Sequence, residues 1–279
     1  MRVATLGGLR SSNLAVGAET IEQVDRFAAK SHSWLSNGDR KQTLSARLIM
    51  RVLPLAERFN RAFSAVDVTP VFDNANFPWV PALEREWRTI RAELERVVAR
   101  KNELPGFQDI LPDVALISRD RGWKSFMLAG MGARSKRNIA LCPQTWRAVQ
   151  NIPGLSMAMF SIFEPGKRLW PHRGPYNGVL RLHLGLIVPD ASDDVAIRVG
   201  PHVRHWEEGK VLIFDDSYEH EAWNNSDRLR VVLFVDFARP LRFPASAVNA
   251  ILLKLAAFSA FVREGHKNHR QWEREFYAE

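Results

Sequence analysis

The 279-residue chain has ordinary apolar content, enough to build one or at most two folded domains around a sizeable core. Its single cysteine, Cys142, excludes an internal disulfide, and no signal-peptide apolar stretch opens the sequence, so a reducing, cytoplasmic setting is expected. The net charge of +8 is spread along the chain without helix-turn-helix or zinc-finger spacing; it reads as a solvated basic surface, with an anionic membrane face or anionic substrate next, and no nucleic acid is expected as a partner.

Residues 1 to 44 carry turn signals, Gly7-Gly8, Ser11-Ser12-Asn13 and Ser36-Asn37-Gly38-Asp39, and read as an irregular arm with a short helix near Glu19 to Ala29. From Ser45 to Phe63 the apolar spacing turns helical, and Pro54 is expected to break or kink that helix. Phe77-Pro78-Trp79-Val80-Pro81 is a stiff connector into a second helix. There Trp87, Ile90, Leu94, Val97 and Val98 recur on one face, which should pack outside a sheet. Trp123 to Leu128 alternates as a strand, the basic turn Arg134-Ser135-Lys136-Arg137 reads as a solvated face or the border of a substrate entrance, and a short helix spans Gln144 to Gln150. A strand from Met157 to Glu164 contains Ser161.

The stretch from Ser161 to Asp236 carries the residues with chemistry. In Leu180-Arg181-Leu182-His183-Leu184-Gly185-Leu186 the apolar positions alternate with period two, so Arg181 and His183 share a face opposite the leucines. An unpaired buried cation is costly, so that face needs a wet or ligand-filled cavity. The same parity groups Arg230 with Val232 and Phe234, and sets Leu229, Val231, Leu233 and Val235 opposite. An arginine among apolar neighbours suggests a bound carboxylate, which a guanidinium grips with two parallel hydrogen bonds. His172 stands in Trp170-Pro171-His172-Arg173-Gly174-Pro175-Tyr176-Asn177, and His220 follows Asp215 and Asp216 in Phe214-Asp215-Asp216-Ser217-Tyr218-Glu219-His220-Glu221. The two aspartates read as turn formers able to orient His220. His202 and His205 fall in a charged loop and read as exposed.

These phrases, together with Arg230 to Asp236, resemble the aspartyl/asparaginyl β-hydroxylase family of Fe(II)- and 2-oxoglutarate-dependent oxygenases, over roughly residues 140 to 242. The resemblance implies an α+β fold with a mainly β core, a double-stranded β-helix (jelly roll, cupin-like) flanked by N-terminal and C-terminal helices. It implies Fe(II) on His172 and His220, and 2-oxoglutarate on Ser161, His183 and Arg230, with Arg181 lining the same pocket. Most such oxygenases add a carboxylate two residues after the first histidine. Here that position is Gly174, as the animal branch of the family has only two protein ligands. Leu141-Cys142-Pro143-Gln144-Thr145 resembles instead a bacterial branch that hydroxylates acyl chains of lipid A.

The expected activity is therefore hydroxylation of an unactivated carbon, with 2-oxoglutarate and O2 as co-reactants. The substrate is expected to be a peptide or amino acid, with a lipid fatty-acyl chain as the alternative. A reading of another class, a non-catalytic cupin-like binding protein, would show a missing ligand or cosubstrate arginine, and neither is missing. The expected organisation is an arm (1–44), a helical and mixed region packing on the core (45–139), the hydroxylase-like β-helix (140–242) and a helical tail (243–279). In that tail Ala245 to Val262 is mostly apolar with Lys254 inside, which disfavours spanning a bilayer. One helix packed across the barrel is the first expectation. The alternative is an interfacial helix in peripheral contact with anionic membrane. Oligomeric state is not legible.

Overall fold

A computed structural model describes residues 44–118, 120–130, 132–189 and 193–278; the helix expected near Glu19 to Ala29 and the rest of the arm lie outside the described residues. Helix α1 (Leu44–Ala62) is assigned as one element with Pro54 inside it, so the expected break is absent. Proline removes one amide donor and leaves the other bonds of the helix to carry it past. Helices α2 (Val80–Arg85) and α3 (Trp87–Val98) follow, then the single turn α4 (Phe107–Ile110), α5 (Lys136–Leu141) and α6 (Pro143–Val149).

The strands are β1 (Trp123–Gly130), β2 (Ala133–Arg134), β3 (Leu155–Phe163), β4 (Lys167–His172), β5 (Val179–Ile187), β6 (Val195–Val199), β7 (His202–Arg204), β8 (Val211–Phe214), β9 (His220–Asn224) and β10 (Arg230–Ala238). They form two antiparallel sheets, a large one in the order β2-β1-β3-β10-β5-β8 and a small one in the order β4-β9-β6-β7. Consecutive strands repeatedly change sheet, which gives the double-stranded β-helix.

The pleat of β5 explains the layering. Leu180, Leu182, Leu184 and Leu186 are each wholly buried on the outer face, where Ile90, Leu94 and Val97 of α3 meet them. The other face of the large sheet turns inward against the small sheet. Met159, Phe163, Val232 and Phe234 there pack with Leu169, Val195, Ile197 and Trp206. The buried Glu93 of α3 accepts hydrogen bonds from the Gln144 and Thr145 amides and from the Thr145 hydroxyl, at 2.7 to 2.9 Å. A carboxylate at the start of α6 satisfies donors that the helix itself cannot. The Leu141 to Thr145 phrase is thus a helix junction of the outer layer.

The basic turn starts α5, with Ser135 accepting from the Asn138 amide. Its arginines lie on aromatic rings, Arg134 at 5.0 Å from Trp146 and Arg137 at 5.5 Å from Tyr277, so the turn fastens the outer layer. The tail forms two helices in place of the expected single one: α7 (Ala245–Ala257) and α8 (Ala260–Phe276), bent by 54°. Ser259 causes the break by accepting from the Val262 amide as the N-cap of α8. Among the described residues no single helix is long and apolar enough to cross a membrane. Because Leu184 of β5 is fully enclosed in the core cluster that includes α3, Leu184→Ala is expected to lower unfolding free energy by about 2–5 kcal/mol, measured by urea titration.

Candidate active site

Strands β4 and β9 of the small sheet pair so that His172 lies directly across from His220. Their ring centroids are 4.1 Å apart, and both side chains are buried. Each ring turns Nδ1 to the carbonyl two residues upstream, His172 to Trp170 at 2.7 Å and His220 to Tyr218 at 3.0 Å. A carbonyl only accepts, so Nδ1 carries the hydrogen and Nε2 keeps its lone pair on both rings. Burial pushes the His172 imidazole down to about 4, only partly opposed by the Trp170 carbonyl, and pushes His220 well below its ordinary value. Two neutral imidazoles with adjacent rings and free Nε2 atoms could serve as donors to a transition metal. Among the described residues no set of three His, Cys, Asp or Glu side chains converges on a common point.

The space that a carboxylate at position 174 would use is taken. A β-carbon on Gly174 would lie 2.3 Å from the Asp216 carboxylate, and the Gly174 amide donates to the Asp216 carbonyl at 2.7 Å. Asp216 is held by Arg181 at 3.0 Å, and Arg181 also makes a two-point pair with Asp236, at 2.8 and 3.0 Å. Burial alone would favour neutral Arg181, but Asp236 and Asp216 more than reverse this and hold the guanidinium charged. Burial pushes the Asp216 carboxyl above its ordinary range, with Arg181 opposing. Asp215 does two separate jobs, accepting from the Ser217 amide at 3.0 Å and pairing with the buried Arg239. Arg239 in turn donates to the Asn177 carbonyl at 2.7 Å, which ties the turn before His220 to the loop after His172.

On the facing sheet, register puts Arg230 opposite Phe163, Val232 opposite Ser161, and Phe234 opposite His183. Arg230 is 1% exposed, its guanidinium lying 3.6 Å from the Phe163 ring centre and 4.4 Å from that of Trp206. Its Nε and Nη1 atoms have no hydrogen-bond partner among the described residues, and burial pulls its pKa down to about 9. Such a cation is stable only if something supplies an anion. His183 accepts from the Trp206 indole at Nδ1, 3.2 Å away, so its Nε2 bears the hydrogen, and that atom is also buried without a partner. Ser161 accepts from the Trp123 indole at 3.0 Å and retains its own O–H to donate, while the buried Ser125 hydroxyl, opposite Ser161 in register, is unpartnered. A short aromatic path joins the two halves. His183 lies 5.1 Å from Phe214, whose ring is 5.8 Å from His220.

The structure thus brings Ser161, His183 and Arg230 onto one inner face and His172 with His220 onto the strands opposite. Arg181 stands on the His183 strand, its guanidinium engaged by two carboxylates and 4.3 Å from the Phe234 ring centre. His202 and His205 lie apart in and after β7, His205 facing the exposed Asp193 at 3.8 Å. Sequence reading missed Trp206, Phe163, Trp123, Ser125 and Asp236. Asp236 shares the parity of Arg230, a signal that was present. Trp206 reaches the pocket from a loop, seated because a β-carbon on Gly185 would lie 2.1 Å from the Glu207 carbonyl, and no strand pattern marks it.

The fold is thus a jelly roll with paired inward imidazoles and an inward arginine that lacks a partner on two nitrogens among the described residues. Residues 84–240, more than half of the chain, match the aspartyl/asparaginyl β-hydroxylase family. The chain belongs to that family and is a hydroxylase. It is 57% identical over 241 residues to the ornithine lipid ester-linked acyl 2-hydroxylase of Rhizobium tropici, covering 86% of this chain and 85% of that one. It is 36% identical over 166 residues to the aspartyl/asparaginyl β-hydroxylase of Homo sapiens, covering 58% of this chain but only 21% of the human protein. A cupin barrel-domain protein from Salinispora arenicola is a loose structural likeness, 10% identical, covering 49% of this chain and 89% of that one at a TM-score of 0.28.

The buried histidines make the metal-free protein acid-sensitive. His172, His220 and His183 hold protons less tightly when folded than when unfolded. Below the ordinary value of 6.5 the unfolded chain therefore binds more protons, and stability falls with pH down to the folded value, about 4 for His172. That ring alone accounts for roughly 3 kcal/mol across the window. Urea unfolding of metal-free protein from pH 7 to 4 should show this loss, and His172→Asn should flatten it.

Proposed function

We propose that this chain is an Fe(II)- and 2-oxoglutarate-dependent hydroxylase of a lipid fatty-acyl chain. The observation that carries the cofactor reading is the buried, unpartnered guanidinium of Arg230 across from two imidazoles with free Nε2 atoms. Those Nε2 atoms of His172 and His220 would hold the ferrous ion. Arg230 would pair with the far carboxylate of 2-oxoglutarate, which accepts a further hydrogen bond from Ser161. The Nε2–H of His183, buried without a partner among the described residues, would offer a donor to the same cosubstrate. Bound ferrous iron with 2-oxoglutarate and dioxygen supplies the oxidising power to place one oxygen in an unactivated C–H bond, yielding succinate and carbon dioxide. The chain's share is to keep both imidazoles neutral, to fix their orientation through Nδ1, and to neutralise the dicarboxylate in a site walled by Phe163 and Trp206.

The acyl-chain substrate is supported by the near full-length resemblance to an ornithine lipid acyl hydroxylase. A peptide or amino-acid substrate is the second reading, favoured by Gly174, since the resemblance to the animal branch implies the same two-histidine site. The test supplies purified protein with Fe(II), ascorbate and 2-oxoglutarate, and presents an ornithine-type lipid or a peptide containing Asp and Asn. Mass spectrometry of the product for one added oxygen, with succinate counted, decides between them. Oxygen gained on the peptide alone rejects the acyl reading.

Arg230 supplies a prediction separate from turnover. Replacing it with Met removes an uncompensated buried charge, so the ligand-free variant should melt higher than the parent. The same change should abolish the rise in melting temperature that 2-oxoglutarate gives the metal-loaded protein. Arg230→Lys keeps the charge without the two-point fork and should weaken 2-oxoglutarate binding by roughly tenfold or more. An unchanged 2-oxoglutarate affinity in either variant contradicts the assignment.

A further inference from the structure

The outer surface of α1 and α7 departs from the pattern of the rest of the molecule. On α7, Val248, Ile251, Leu255 and Phe258 recur at intervals of three and four and form one stripe, and it faces solvent: Ile251 is 58% exposed, Leu255 61% and Phe258 77%. The neighbouring Phe243 is 80% exposed, and Leu55 on α1, which packs against α7, is 63% exposed. The buried side of α7 is instead marked by Ala245 and Asn249. Contiguous exposed apolar residues of this size mark a contact surface.

The charge around this stripe selects its partner. Helix α7 contains no acidic residue, Lys254 lies exposed on its flank, and Arg58 and Arg242 are exposed at the edge of the patch. Such a cationic rim favours an anionic surface, and it opposes a symmetric contact with a second copy, which would bring each basic residue near its own counterpart. A spanning role is disfavoured by the 54° bend into α8, and by the exposed Arg263, Lys267 and Arg270 on that helix.

The patch is wired to the metal-site loop. Asn60 of α1 donates to the Tyr176 hydroxyl at 2.8 Å and to Asn177 Oδ1 at 3.0 Å, and Asn177 donates back to the Glu57 carbonyl at 3.0 Å. Asn249 of α7 donates to the Gly178 carbonyl at 2.8 Å. Both helices therefore grip the segment that begins just after His172.

We infer that the face made by Leu55, Phe243, Val248, Ile251, Leu255 and Phe258 seats the protein on an anionic bilayer. Docking of this kind would hold the protein at the surface where a lipid substrate resides. The inference rests on the acyl-chain reading for the identity of the substrate, whereas the docking itself is measured without turnover.

The test is cosedimentation of the full chain with vesicles of phosphatidylcholine, with and without phosphatidylglycerol. The parent protein should partition onto the phosphatidylglycerol vesicles and detach as salt rises. A variant combining Ile251→Ser, Leu255→Ser and Phe258→Ser should partition roughly tenfold or more weakly, with its thermal unfolding unchanged because those side chains are exposed. Lys254→Glu should reduce the preference for the anionic vesicles. The proposal is overturned if the parent ignores phosphatidylglycerol vesicles, if the serine variant binds as well as the parent, or if the stripe proves to hold a dimer that the serine changes dissolve. Hydroxylation of detergent-dispersed lipid separates the two readings. Turnover without vesicle binding sinks the docking and keeps the acyl substrate, and vesicle binding with no oxygen gained by any lipid does the reverse.

Discussion

The interior of this protein is organised around a positive charge that the chain itself leaves unanswered. Arg230 lies between Phe163 and Trp206, shielded from water, with two of its nitrogens unpaired among the described residues. Aromatic faces recover a part of the desolvation cost through cation–π attraction, but they do not replace a counter-ion. Arg181, two strand positions from His183, shows the contrast. It is less enclosed, with 17% of its side chain exposed, and it is matched by Asp236 and Asp216. One arginine is answered by carboxylates of the fold, and the other has two nitrogens without a partner among the described residues.

The division of labour between sheets follows from the same logic. The large sheet supplies Ser161, His183 and Arg230 because β3, β5 and β10 are adjacent, and register aligns the three on one inward face. The small sheet supplies the imidazole pair because β4 and β9 are adjacent and in register. Each ring is fixed by a carbonyl of its own chain only two residues away, so the orientation of the pair depends on local backbone more than on distant packing. Family membership places this arrangement among hydroxylases.

Much of this was legible in the sequence, and the reasons are specific. Period-two alternation sorted β5 and β10 into faces, since strand side chains must alternate. It therefore puts Arg181 with His183 on one face of β5 and Arg230 with Phe234 on one face of β10. Alternation says nothing about register, so the Asp236 to Arg181 pair and the His172 to His220 pair needed the fold. Loop residues escaped altogether: Trp206 reaches the pocket because Gly185 admits the backbone of the next loop, a tertiary fact with no periodic trace. The tail was read as one helix because its apolar run passes through Phe258 and Ser259. The hydroxyl that caps α8 is a local competitor that composition does not weigh.

Positions 174 and 216 occupy a single volume, one glycine and one aspartate sharing room for only one side chain. In this chain, any side chain at the first position requires a retreat at the second. That retreat would strip Arg181 of one of its two acidic neighbours. The bare glycine and the distant arginine are thus tied, and neither can drift alone without disturbing the electrostatic balance beside the histidine pair.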